Sequence, residues 1–373
     1  MRLPRALHPG AWWAWALGMA TAASRTTNPL LLLLIASVVG LVVSARRTEA
    51  PWAAGFRSYV VLAGIVIAIR VGFRMLLDGQ YGGHVLFTLP EIPLPEAAAG
   101  IRIGGPVSLE GVLAAAYDGL RLATLLLCVG AANVLANPKR LLNALPAALH
   151  EVGVAITVAL TVAPQLVESA QRVRAARRLR GVPGRRFHVL REIGLPVMTD
   201  ALDRSLLLAA AMDARGYGRS AAVPRRTRLA TGGLLVAGLL GMGIGTYGLL
   251  DGTAPGLLGL PMLLGGALAG WVGVVLSGRR VLRTRYRPDP WRRPEWAVTG
   301  TGVLVAALVI AAGLRDPAGA FPLVQPLQWP PLPVVAALAI VLGAVPAWAA
   351  PPPVHVPTAG FRRTVPAVAE QAA

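Results

Sequence analysis

The chain has 373 residues, 55% hydrophobic and only 14% charged, with a mean hydropathy of +0.60 and a formal net charge of +19. Soluble domains carry about a quarter charged residues, so most of this chain has lipid as its solvent. The arginines sit between apolar runs rather than on one compact basic domain, which argues against nucleic acid, and one cysteine, Cys128, excludes a disulfide framework.

Arg2 and Arg5 precede a first apolar stretch, Ala11–Ala23, with no small-residue cleavage site followed by a soluble domain, so an uncleaved first span is expected. It is short for a hydrocarbon layer of about 30 Å and reads as partly interfacial. Ser24–Asn28 is a tight turn before the next span, Pro29–Val43. Phe56–Leu77 follows, then a Gly/Pro-rich connection from Asp78 to Pro106, then Val107–Leu135. Beyond an Arg-rich stretch come Leu229–Leu250, Gly256–Ser277, Trp296–Leu314 and Val334–Ala350, each with Gly or Ala for close helix contacts. These readings predict an all-α polytopic integral membrane protein of about eight transmembrane helices. Its expected parts are four N-terminal spans (1–137), a cytoplasmic or membrane-apposed helical unit (138–228), a fifth and sixth span (229–278), and a basic loop, two additional spans and a Pro-rich tail (279–373).

Orientation follows the arginines. Arg46-Arg47, Lys139-Arg140, Gln171–Arg228 and Arg279–Arg293 alternate with nearly uncharged loops at Gly252–Pro255 and Asp316–Pro331. Between Gln171 and Arg228 there are 14 Arg against four acids, Glu192, Asp200, Asp203 and Asp213. The positive-inside rule places this stretch and both termini in the cytoplasm. Trp12, Trp13, Trp52, Trp271, Trp296 and Trp348 are expected to anchor span ends at the interface. Val152–Val167 is apolar, but as a full crossing it would put Lys139-Arg140 outside. It is read as the apolar half of a long helix along the inner membrane face.

Two long helices are predicted within this unit, near Glu151–Gly181 and Phe187–Gly216. Each has an apolar first half with an internal proline (Pro164, Pro196), which bends a helix, and a polar second half ending in Arg-Gly (Arg180-Gly181, Arg215-Gly216). A C-terminal glycine tolerates the left-handed cap, and an arginine there suits the negative end of the helix dipole. Two such ends in one cytoplasmic unit also form a repeated handle, since a guanidinium at a helix tip makes bidentate contacts with carboxylates.

The run Ala163-Pro164-Gln165-Leu166-Val167, followed by Arg172-Val173-Arg174-Ala175-Ala176-Arg177-Arg178-Leu179-Arg180-Gly181, resembles the first coupling helix of the transmembrane T component of energy-coupling factor transporters (EcfT/CbiQ-like). Ala211-Met212-Asp213-Ala214-Arg215-Gly216-Tyr217-Gly218 resembles the second, and the Asn28-Pro29 turn before a leucine run also fits. The resemblance covers roughly Ala11 to Leu250. It implies a non-catalytic scaffold subunit of an ATP-driven importer of vitamins or transition-metal ions in a bacterial cell membrane. It also implies two ATP-binding ABC ATPase subunits, on which the arginines of Ala-Arg-Gly signatures dock, and a separate substrate-binding S component. The second signature, Ala214-Arg215-Gly216, is intact; the first departs from it, with Leu179 in place of Ala. On this reading Val152, Ile156, Leu160, Leu166 and Val167, with Leu195, Val197, Leu202, Leu206 and Leu208, offer the surface that works against the substrate-binding subunit. The last two spans would lie outside the family-like core.

Other chemistry is weak. Gly243-Ile244-Gly245-Thr246-Tyr247-Gly248 matches G-x-G-x-x-G, but it lies inside an apolar span without a preceding strand, so close helix packing explains it better. No Walker A sequence occurs, and His8, His84, His150, His188 and His355 show no metal-ligand spacing. No cofactor and no resident metal are expected. Asp200 and Asp203 sit beside Arg204 and read as a surface ion-pair network. Arg70 and Arg74, one turn apart, read as snorkelling from a span end. The alternative is a membrane subunit of another transporter or channel with its own substrate path. It would need polar residues through several span centres, which are sparse here.

Overall fold

The computed structural model describes residues 6–48, 55–77, 83–92, 103–144, 150–179, 188–217, 224–250, 255–278 and 290–352. The fold is all-α and polytopic. Among the described residues seven helices are long and apolar enough to cross a membrane: Pro29–Arg46, Phe56–Leu77, Leu109–Leu135, Glu151–Leu179, Arg225–Leu250, Gly256–Gly278 and Arg293–Arg315. The first expected span, α1 (Pro9–Ser24), has 16 residues, and the last, Val334–Ala349, is likewise a shorter apolar helix. Glu151–Leu179 meets the length and composition of a span because the apolar half, before Arg172, carries its hydropathy.

Packing gathers the chain into two units, Met1–Arg140 with Asp289–Ala373, and Leu141–Pro288. The first contains α1, α2 (Pro29–Arg46), α3 (Phe56–Leu77), α4 (Leu109–Leu135), α5 (Pro138–Asn143), which runs across its boundary, α10 (Arg293–Arg315), α11 (Pro317–Ala320), α12 (Val334–Leu342) and α13 (Pro346–Ala349). α1 lies against α4 and α10, and α2 against α4 and α12. Their core is made of Trp15, Met19, Ile35, Val39, Val298, Val305 and Ile340, all fully buried. Small residues set the spacing. A Cβ on Gly18 would strike the carbonyl of Gly302, and one on Gly302 would lie 2.5 Å from Trp15 Cα. The C-terminal helices, read from sequence as lying outside the family-like core, pack into the N-terminal bundle.

Polar side chains finish what apolar packing leaves open. Asn28 caps α2 by accepting from the Leu30 amide at 3.0 Å, while its Nδ2 donates to the carbonyls of Gly319 (2.8 Å) and Pro331 (2.7 Å). Thr26 donates to Ala320 O at 2.7 Å, and Trp15 Nε1 to Gly343 O at 3.0 Å. Arg46 reaches the carbonyls of Ala347 and Trp348, Arg121 that of Ser24, and Arg140 those of Leu7 and Ala6. Trp12 is correspondingly core, 6% exposed and edge-on to Trp15, rather than an interfacial anchor. Trp271, Trp296 and Trp348 are exposed, and Trp52 lies outside the described residues.

The connection after α3 contains a two-stranded antiparallel ribbon, β1 (Val85–Ile92) and β2 (Ile103–Ser108), which the Gly/Pro content of that stretch concealed. Its base is tied to α4: Ser108 caps the helix through the Gly111 amide, and buried Glu110 accepts from the His84 amide and lies 2.8 Å from His84 Nδ1.

In the second unit, α8 (Arg225–Leu250) and α9 (Leu260–Gly278), preceded by the 3-10 turn Gly256–Leu258, meet along glycines. A Cβ on Gly238 would lie 2.5 Å from Gly270 N, one on Gly241 2.8 Å from Gly266 Cα, and one on Gly245 would strike Leu263. The G-x-G-x-x-G run thus supplies Gly245 and Gly248 to a helix seam, while Gly243 faces open space.

Asn28→Ala removes a cap worth about 1 kcal/mol and strands two carbonyls at about 1–3 kcal/mol each. Detergent-solubilised Asn28→Ala protein is expected to unfold several degrees lower than the parent in a thermal melt, whereas Ser37→Ala, on the exposed side of α2, is expected to change nothing measurable.

Candidate functional site

The two long helices of the Arg-rich stretch are α6 (His150–Leu179) and α7 (His188–Ala214). Both form despite an internal proline, Pro164 in α6 and Pro196 in α7. Proline removes a backbone donor and crowds the preceding turn, and each interruption falls in the apolar half of its helix. Thr157 and Thr161 bond back to the carbonyls of Gly153 and Thr157 in α6, keeping their hydroxyls satisfied on an apolar segment.

α7 ends as its sequence predicts. Ala214 is its last helical residue, and Gly216 takes the left-handed conformation with φ +72°. The Tyr217 amide donates to Met212 O and the Gly216 amide to Asp213 O. These are the paired bonds of a Schellman stop. This closure takes up two of the last carbonyls and leaves Arg215 and Tyr217 exposed at the helix tip. Arg180 and Gly181, the corresponding pair after α6, lie outside the described residues; α6 is described to Leu179, which is 91% exposed.

The two helices are joined by one carboxylate. Asp200 accepts from Ser169 Oγ across the pair at 2.7 Å and from Arg204 Nε on its own helix at 3.0 Å. Arg172 stands 3.7 Å from the same carboxylate, and Arg204 also reaches back to Gln165 Oε1 at 3.4 Å. Ser169 is only 4% exposed, although most of α6 is open. The Ser169 hydroxyl first, then the Arg204 guanidinium, hold the Asp200 carboxyl below the usual carboxylate range, assisted by the charges of Arg204 and Arg172 and opposed by partial burial. The ion-pair network expected around Asp200 and Arg204 is therefore present and extends to the other helix. Ser169 escaped the sequence reading because a lone serine so distant in the chain from its partner has no local signature.

Elsewhere both helices are bare. Val152, Ile156, Leu160 and Val167 on α6, and Leu195, Leu202, Leu206 and Leu208 on α7, are all exposed, while Leu166 and Val197 are half-buried. Among the described residues no three His, Cys, Asp or Glu side chains gather as a metal-binding group.

The lowered Asp200 carboxyl has a defined pH signature. A group whose folded pKa lies below its unfolded value of about 3.9 stabilises the fold above that value. The contribution is lost as pH falls through the folded one. The difference in melting temperature between parent and Asp200→Asn is expected to stay constant from about pH 8 to 5 and to close below about pH 4; a difference that closes near neutral pH would assign it to another group.

A protein-family model described as CbiQ, cobalt transport protein, matches residues 2–225, from the N-terminal helices through the end of α7. No curated protein matches the chain.

Proposed function

Because that match covers more than half of its length, the chain belongs to the CbiQ cobalt transport protein family, and we propose that it is the energy-coupling membrane subunit of an importer of the energy-coupling factor type. It is a multi-pass membrane component of a transporter. In the proposed assembly two ABC ATPase subunits bind and hydrolyse ATP, a separate membrane subunit binds the transition-metal ion or vitamin, and this chain connects them without catalysis of its own. The observation that supports the reading best is the α7 end, where a Schellman stop presents Arg215 beyond a helix whose apolar side chains are exposed. A guanidinium so placed can make a bidentate contact with a carboxylate in a cytoplasmic partner. The apolar faces of α6 and α7 would meet the substrate-binding subunit, so that closure of the ATPase pair moves one helix end and shifts the other. The membrane would be a bacterial plasma membrane, with both termini and 171–228 on its cytoplasmic side.

Arg215→Ala is expected to reduce co-purification of the ATPase subunits tenfold or more, since a hydrogen bond to a charged group contributes about 1.5–3 kcal/mol. Arg180→Ala should act in the same direction and less strongly, because Leu179 departs from the family signature, and the double variant should be weakest. Unchanged recovery of the ATPases with the double variant would return both arginines to helix capping.

Topology offers a separate check. Cysteines introduced near Arg185 or Arg226 in a Cys128→Ser background should resist a membrane-impermeant thiol reagent in intact cells and react once the membrane is opened. Reaction in intact cells would overturn the orientation, since arginine-rich loops stay on the side from which they insert.

A further inference from the structure

The coupling reading needs the two helices to transmit motion, and a pair held only by apolar contact could dissipate it by slipping. The side chains of α6 and α7 that would resist slipping are mostly exposed rather than interlocked. Against that background the Asp200 junction stands out: a buried hydroxyl from one helix, a carboxylate from the other, and two guanidinium groups focused on one point. Both prolines fall about one turn before it, Pro164 ahead of Ser169 and Pro196 ahead of Asp200. On α6 this level divides an apolar arm from a basic one, whereas α7 carries exposed apolar side chains on both sides of it and presents Arg215 at its far end.

We infer that the Ser169–Asp200–Arg204 junction is the fulcrum of the coupling helices, a set of positioning residues that converts displacement of the Leu179 and Arg215 ends into tilt of the opposite ends. The inference rests on the proposed coupling role. At the rise of an α-helix, Asp200 stands about 22 Å from Arg215 along α7. On its other side the helix start at His188 is about 18 Å away. The α7 lever is nearly balanced. On α6 the basic arm, from Ser169 to Leu179, is about 15 Å long. The apolar arm, from Ser169 back to His150, is about 28 Å. A given displacement at the basic end of α6 is therefore close to doubled at the apolar end. A fulcrum must resist sliding yet permit rotation. A carboxylate with several donors around it does both, because its oxygens accept hydrogen bonds over a broad range of directions.

The test uses the full complex with its ATPases. Spin labels go at Glu151→Cys and Ile193→Cys, in the arms opposite Leu179 and Arg215, in a Cys128→Ser background, and the inter-label distance is measured with and without a non-hydrolysable ATP analogue. The parent should show a nucleotide-dependent shift. Asp200→Ala should recover the ATPases as well as the parent does, yet lose more than half of that shift, and Asp200→Glu should restore most of it. Ser169→Ala, which keeps a good helix former and only removes the cross-helix bond, should also reduce the shift and stands as the deciding variant should Asp200→Ala fail to fold. A full parental shift in Asp200→Ala, or in Ser169→Ala where that variant decides, overturns the fulcrum. A parent that recruits no ATPases, or shows no shift, overturns the coupling reading and the fulcrum with it.

Discussion

In hydrocarbon a backbone carbonyl without a partner has no water to turn to, and this constraint organises the first unit. Its helices are not all continuous: α11, α12 and α13 are short, and the chain between Phe321 and Pro333 is not helical. Every such break frees acceptors. The side chains that take them come from distant parts of the sequence, Asn28 and Thr26 for the loop around α11 and Trp15 and Arg46 for the residues after α12. The N-terminal and C-terminal helices are therefore joined by obligation as well as by packing. A chain ending after Pro294 would keep α6 and α7 but would leave Trp15, Thr26 and Asn28 without the carbonyls they bind.

Helices α6 and α7 answer the same constraint differently. In α6 the Thr hydroxyls fold back on their own helix, α7 ends in a Schellman stop, and the polar bonds between the two gather around Asp200. Much of what remains outside is apolar on α7 and on α6 before Ser169, while the exposed arginines of α6 fall beyond Ser169. A surface of that kind asks little of a partner beyond shape, which would suit the role proposed above, in which it meets another membrane protein and moves against it.

Much of this was legible in the chain. The Arg215-Gly216 stop could be read because glycine's tolerance of positive φ is local and specific. Likewise Pro164 and Pro196 could be placed inside helices, because apolar residues continue on both sides of each proline. The G-x-G-x-x-G run was assigned to packing from its apolar setting, and the seam bears this out at Gly245 and Gly248. The pairing of Trp15 with Gly343, at the opposite end of the chain, left no trace, because Ala, Gly and Val surfaces carry no code for their partner. The β-ribbon was hidden by Pro90 and Pro106, which argue against strands in general but are admissible in a ribbon where both strands are edges. Trp12 was misplaced because tryptophan near a span end has two uses, and only the neighbouring helices decide between them.

The glycine seam of α8 and α9 has a thermal consequence. Hydrophobic association in water weakens on cooling because it draws on the hydration of apolar surface. Two helices already in lipid release no such water when they meet, and at Gly238, Gly241 and Gly245 the backbones approach too closely for any side chain to intervene. Their attraction is dispersion and weak backbone contact, with little heat-capacity change to erode it. The seam should hold as firmly in a cold membrane as in a warm one, even where contacts driven by water loosen.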